Sequence, residues 1–220
     1  SLGRHEHPIS QLAFSPDDQR LASGSKMGDI RLWELASGRF QELKGHQDEV
    51  RSLLFSSDGQ RLFSGSMDHT LRLWSLANGE SHRVDTSGSG VHQILLTSDN
   101  QLLISSSMND SALRLWDSRT GEPRGMLRGH QDDISHMNLS PDGRRLASAS
   151  PDATVRLWDL ATHESRVLRG HTARVTGIVF LDDQHLASIS WDGTVRLWLD
   201  DLPLEPTALR AWMTKVEATP

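Results

Sequence analysis

Cysteine is absent from the 220 residues, which excludes a disulfide framework and any zinc site built on thiolates. Tyrosine is absent too, and nothing physical in the sequence accounts for that. No run of about 18 apolar residues occurs, so no segment reads as a transmembrane helix. Basic charge is in deficit: 23 Lys and Arg stand against 29 Asp and Glu, a formal net charge of −6. Nucleic-acid binding needs a basic face, so neither nucleic acid nor membrane is expected as a partner. The opening Ser1-Leu2-Gly3-Arg4-His5 lacks the apolar core of a signal peptide. A soluble, cytoplasmic protein is the expectation, although missing cysteine does not itself select a compartment.

What is present is a repeat. Thr154-Val155-Arg156-Leu157-Trp158-Asp159 returns as Ile30-Arg31-Leu32-Trp33-Glu34, Leu71-Arg72-Leu73-Trp74-Ser75, Leu113-Arg114-Leu115-Trp116-Asp117 and Val195-Arg196-Leu197-Trp198. The tryptophans at 33, 74, 116, 158 and 198 are spaced by 41, 42, 42 and 40 residues. Units this small cannot bury a core alone and must stack on their neighbours. β-branched and aromatic residues alternating with polar ones suit a strand with two faces.

The fourth unit is the most regular. An apolar stretch from Ile134 to Leu139 reads as a first strand, and Ser140-Pro141-Asp142-Gly143 as a turn. Leu146–Ser150 is the second strand, the Trp158 segment the third, and Ser165-Arg166-Val167-Leu168 the fourth. The other units follow this plan, with second strands around Leu21–Ser25, Leu62–Ser66, Leu103–Ser107 and Leu186–Ser190.

The Gly-His opening, the four-strand rhythm and the closing Trp-Asp together resemble the WD40 repeat family over about residues 5–200. The resemblance implies an all-β fold, a β-propeller of four-stranded antiparallel blades. Five repeats are visible, at about 5–45, 46–86, 87–129, 130–170 and 171–200, within a propeller domain spanning 1–200. It also implies a non-catalytic platform for protein or peptide partners.

His, Ser, Asp and Trp recur at matched places: His46, Ser64, Asp68 and Trp74; His130, Ser148 (or Ser150), Asp152 and Trp158; His171, Ser188, Asp192 and Trp198. The types are those of a hydrolytic triad. A catalytic site occurs once, whereas this set repeats, and in WD40 proteins the matching positions form a stabilising tetrad. Two units depart from it. The first has Met27 at the Asp position, with Asp29 two residues late, and the third has Ser87 at the His position and an extra residue in Met108-Asn109-Asp110-Ser111. Burial of Trp33 and Trp116 should hold those blades, since a large aromatic buries roughly 150–250 Å² and a hydrogen bond adds only about 1 kcal/mol net.

Other motifs are weak. Ser23-Gly24-Ser25-Lys26 has the S-x-x-K spacing of penicillin-binding enzymes but lies where every unit has a strand and turn. His5-Glu6-His7 offers two imidazoles, yet His5 fills the repeat's own His position. His69, His92 and His136 are off-pattern, with no nucleophile or metal partner to join them. No cofactor or metal site is expected. The arginines before Leu-Trp should lay their stems along the blades and send their heads to water or carboxylates.

By the resemblance, partners meet one end of the propeller, at the residue before the tetrad Asp and beside the start of the first strand. The former are Lys26, Met67, Met108, Pro151 and Trp191; the latter include Glu49, Arg51, His92, Asp133, Arg174 and Thr176. Trp191 stands out because the repeat does not require an aromatic there. Either it is an interface hot spot or it covers the turn beside Gly193. Beyond Trp198, Pro203 and Pro206 spoil an outer strand. Leu209, Trp212, Met213 and Val216 then fall at helical spacing, so 201–220 reads as an extension with a short amphipathic helix. Leu2 lies three before His5 as Leu168 lies three before His171, like the stump of an outer strand. The preferred expectation is the C-terminal part of a longer protein, of bacterial type, with further blades or a kinase, NTPase or protease upstream. A closed five-blade ring is the alternative; short of one, completion by missing blades or self-association is expected.

Overall fold

The computed structural model describes residues 2–86 and 89–199. Ser87 and the expected helix after Pro206 lie outside the described residues. Within them every regular element is a strand, arranged as five antiparallel sheets, each from one repeat. The first sheet comprises β1 (Ile9–Phe14), β2 (Arg20–Ser25), β3 (Ile30–Glu34) and β4 (Phe40–Leu43); the second β5 (Val50–Phe55), β6 (Arg61–Ser66), β7 (Thr70–Ser75) and β8 (Ser81–Asp85). The third holds β9 (Val91–Leu96), β10 (Leu102–Ser107), β11 (Leu113–Asp117) and β12 (Pro123–Leu127). The fourth holds β13 (His136–Leu139), β14 (Arg145–Ala149), β15 (Thr154–Asp159) and β16 (Ser165–Arg169). The fifth has three strands, β17 (Val175–Phe180), β18 (His185–Ser190) and β19 (Val195–Leu199). Thus β13 begins at His136, two residues later than the apolar stretch suggests. Ser135 there bonds the Ala149 carbonyl in a non-ladder contact (2.8 Å).

Order within each blade follows the chain, so every connection is a hairpin. The first turns close through a hydroxyl and a carboxylate: Ser15 with Asp17, Ser56 with Asp58, Thr97 with Asp99, and Ser140 with Asp142. Those hydroxyl bonds hold all four carboxyls below the usual range, although burial opposes them and for Asp142 is the largest single influence.

The core lies between blades. The inner strands β1, β5, β9, β13 and β17 are neighbours in that order. One face of each blade packs against the opposite face of the next. Ala22, Ile30, Leu32 and Leu43 of the first meet Val50, Leu53, Leu62 and Trp74 of the second. The next three junctions repeat these positions, ending with Val155, Leu157 and Leu168 against Val175, Ile178 and Leu186. The junctions are tight where the next inner strand arrives. A Cβ on Gly24 would stand 2.7 Å from Val50 Cγ1, and one on Gly65 2.5 Å from Val91 Cγ1.

Polar side chains of the inner strands also cross each junction. Ser10 donates to the Val50 carbonyl (2.7 Å), Ser52 accepts from the Ile94 amide (3.2 Å), Gln93 exchanges two bonds with Met137 (2.8 and 3.1 Å), and Asn138 accepts from Phe180 (2.8 Å). At the opposite end Arg20 reaches the Gly59 carbonyl, Arg61 that of Ser118, and Arg145 that of Asp183. Among the described residues the first and fifth blades have one outward face each without a neighbour: Ile9, Leu12 and Phe14 are exposed on one, Val195 and Leu197 on the other.

Candidate functional site

The recurring polar residues converge behind each tryptophan because they sit on three consecutive elements of one blade. His46 precedes β5, Ser64 lies in β6, Asp68 in the turn and Trp74 in β7. His46 Nδ1 lies 2.8 Å from Asp68 Oδ2, its Nε2 2.7 Å from Ser64 Oγ, and Trp74 Nε1 2.8 Å from the same oxygen. A carboxylate only accepts, so Nδ1 carries the proton. Nε2 then accepts from the Ser64 hydroxyl, whose oxygen accepts from the indole. The fourth blade repeats this with His130, Asp152, Ser148 and Trp158, and the fifth with His171, Asp192, Ser188 and Trp198, each contact at 2.8 Å. Ser148 rather than Ser150 takes the position.

Thr70, Thr154 and Thr194, two residues after each Asp, are members that the sequence reading passed over. Each donates its hydroxyl and backbone N–H to the carboxylate. The repeated Asp-x-Thr spacing was the available signal. Burial alone would raise the Asp68 and Asp152 carboxyls, but the donors from His, Thr and the backbone outweigh it and hold both well below the carboxylate range. Asp192 is held low chiefly by Thr194, then by His171.

The first and third blades keep only part of the set. Ser23 bridges His5 (2.6 Å) and Trp33 (2.7 Å), while Asp29 pairs with His7 (2.9 Å) at the surface, and His5 Nδ1 has no partner among the described residues. Burial, then Arg31, holds the His5 pKa below its ordinary value. In the third blade Trp116 donates to Ser105 (2.9 Å), and Asp110 pairs with Arg114 (2.6 Å). Trp33 and Trp116 are both buried.

These sets are not suited to hydrolysis. Ser64, Ser148 and Ser188 are buried and each hydroxyl is already engaged on both sides. His92 and His136 lie on neighbouring inner strands, and burial, with His92 adding to it, lowers the His136 pKa against a backbone hydrogen bond at Ile178 that raises it. His92 bonds the Ser135 carbonyl (3.2 Å), and His69 occupies an exposed turn at φ 68°. Among the described residues no group of three His, Cys, Asp or Glu is placed to hold a metal. The arginine heads go partly elsewhere than expected: Arg72 and Arg156 bond Ser81 and Ser165 (3.0 Å each) and lie over Trp74 and Trp158, while Arg31 and Arg114 do meet carboxylates.

At the end where the first strands begin, backbone bonds bring paired positions together. Lys26 N–H donates to Pro8, Met67 to Glu49, Met108 to Gly90 and Trp191 to Arg174, all at 2.8–2.9 Å. Trp191 is 74% exposed, and the Arg174 guanidinium lies 5.5 Å from its ring centre. Nothing lies within 4 Å of a Cβ built on Gly193, so the indole does not cover that glycine's Cβ position. Arg51 pairs with Glu49 (3.2 Å), Lys26 is exposed, and Asp133 and Thr176 are half-buried. Met67 is half-buried too, with its sulfur 2.8 Å from a Cβ built on Gly90, and Pro151 is also partly covered.

Stacked antiparallel blades of three or four strands, each with a buried serine bonded to the indole of its tryptophan, define a propeller-type repeat protein. The WD40 family (WD domain, G-beta repeat) matches residues 1–34, 38–75, 80–117, 121–159 and 163–198, and the chain belongs to it. A stretch of 37 residues is 49% identical to coronin-7 of Mus musculus, covering 17% of this chain and 4% of that protein. The family is generally non-catalytic. No helix among the described residues is long and apolar enough to cross a membrane.

Proposed function

We propose that the chain is a non-catalytic scaffold that binds a protein or peptide partner through the end bearing Trp191. The carrying observation is the exposed indole stacked by Arg174. A cation over an aromatic face is attracted by the ring, by about 0.5–1 kcal/mol at an exposed site. Large aromatics and arginines are the side chains on which interface energy concentrates. Lys26 on the first blade and the Glu49–Arg51 pair on the second lie at the same blade end and are polar. A second reading, a regulatory domain of a longer signalling enzyme, uses the same end and differs only in whether the partner is in the same polypeptide.

Trp191→Ala tests the reading. Capture of partners identified with the unmodified chain should weaken by about 1–2 kcal/mol, with the melting curve nearly unchanged because the side chain is exposed. Intact capture together with a large loss of stability would place Trp191 in packing instead.

A further inference from the structure

The open face of the fifth blade is not a repeat of the faces that other blades offer their neighbours. Alternation along its strands places Gly177, Val179 and Leu181, Ala187 and Ile189, and Val195, Leu197 and Leu199 on one side. At the position of Ile189 the first four blades carry Gly24, Gly65, Ser106 and Ala149, all buried. Those residues are small because the next inner strand sets a valine or isoleucine on them, close enough that Gly24 and Gly65 leave no room for a Cβ. Ile189 fills that space, its Cγ1 2.9 Å from a Cβ built on Gly177 and its side chain 50% exposed. A further blade seated in the usual register would collide with it.

Four more positions change in the same direction. Gly177 and Val179 stand where Ser52, Gln93 and Asn138 bond across a junction, and neither has a polar side-chain atom. Leu181 replaces the hydroxyls of Ser15, Ser56, Thr97 and Ser140, and Leu199 replaces Glu34, Ser75, Asp117 and Asp159. The face has therefore lost its blade-to-blade bonds and gained apolar side chains, with Val195 at 74% and Leu197 at 63% exposure.

We propose that residues 200–220 of this chain cover the face in place of a sixth blade. The segment leaves directly from β19, at the edge of the sheet, so tethering holds it there at high effective concentration. Its sequence carries Leu202, Leu204, Leu209, Trp212, Met213 and Val216. In the first four blades an aliphatic residue 10 or 11 positions after the tryptophan completes this face (Leu43, Val84, Leu127, Leu168), and Leu209 stands 11 after Trp198. A second copy of the chain is the disfavoured occupant, because its open first blade would bring Ile9 onto Ile189.

Because the protein has no cysteine, Leu197→Cys introduces its sole thiol. Maleimide labelling of that thiol should be slower by about 10-fold or more in the 220-residue chain than in a chain ending at Leu199, a burial worth about 1.4 kcal/mol. Leu12→Cys, on the first blade, should label equally in both. Trp212→Glu with Met213→Glu in the full chain should restore fast labelling at 197, which decides the matter should the shorter chain fail to fold. Equal rates in every form, or protection that fades on dilution, would overturn the proposal, the latter in favour of a second copy.

Discussion

At the scale of single residues, the tetrad aspartates carry more than their one expected bond. Asp152 accepts from His130, the Gln131 backbone and both donors of Thr154. Asp152→Ala leaves buried donors unanswered and should cost about 1–3 kcal/mol in urea melts. Asp29→Ala should cost well under about 1 kcal/mol, because it breaks only a surface pair with His7 and one bond from Ser25. Equal losses would show that the first blade is tied differently. The same carboxylates set an acid limit. Their pKa values are depressed in the folded chain, so their contribution is complete above the unfolded carboxyl value of about 3.9 and disappears as pH falls through the folded value. The gap in urea midpoint between the unmodified protein and Asp152→Asn should be full at about pH 6 and shrink progressively below about pH 4. A gap unchanged down to pH 2 would separate it from that ionisation.

At the scale of elements, strands and turns are local events, and the repeat announces them five times. Junctions between blades are decided by volume instead. Gly65→Val drives two methyls into Val91 and Ile94 and should cost about 1–3 kcal/mol. Ile189→Ala in a chain ending at Leu199, where the face is open, should alter stability by only about 0.5 kcal/mol. Comparable losses for the two would mean that Ile189 is covered by something rigid, and chemical denaturation distinguishes the cases. The same contrast explains why the polar links between inner strands differ from blade to blade. Ser52, Gln93 and Asn138 solve one problem, a buried backbone group at a junction, with three side chains.

At the scale of the whole molecule, five blades stack in sequence and the outermost faces are apolar. Ile9, Leu12 and Phe14 of the first blade are exposed where Val50, Leu53 and Phe55 of the second are wholly or partly covered. A stacked array needs its ends capped. The isolated chain should therefore self-associate through the first blade or melt in more than one step. Leu12→Glu with Phe14→Glu should return it to a monomer in light scattering without lowering its melting temperature. An unmodified chain that is already monomeric with one sharp transition would show that this face is occupied.

The sequence by itself determined the period, the four-strand plan, the turns and the matched His, Asp and Trp of the second, fourth and fifth blades, leaving Ser148 or Ser150 open in the fourth. All of these depend on residue chemistry within one unit, so one unit's spacing carries them. It pointed to Trp191 for the same reason, as an aromatic that no local role demanded. Only the tertiary structure decided what separates one face from another: that Met67 is half-covered beside Gly90 while Trp191 stands free, that Arg20, Arg61 and Arg145 bind carbonyls of other blades, and that Ile189 lies over Gly177 on an open face. Those relations connect residues in different strands or different units. Their energies depend on how closely two surfaces approach, a distance that neither surface encodes alone.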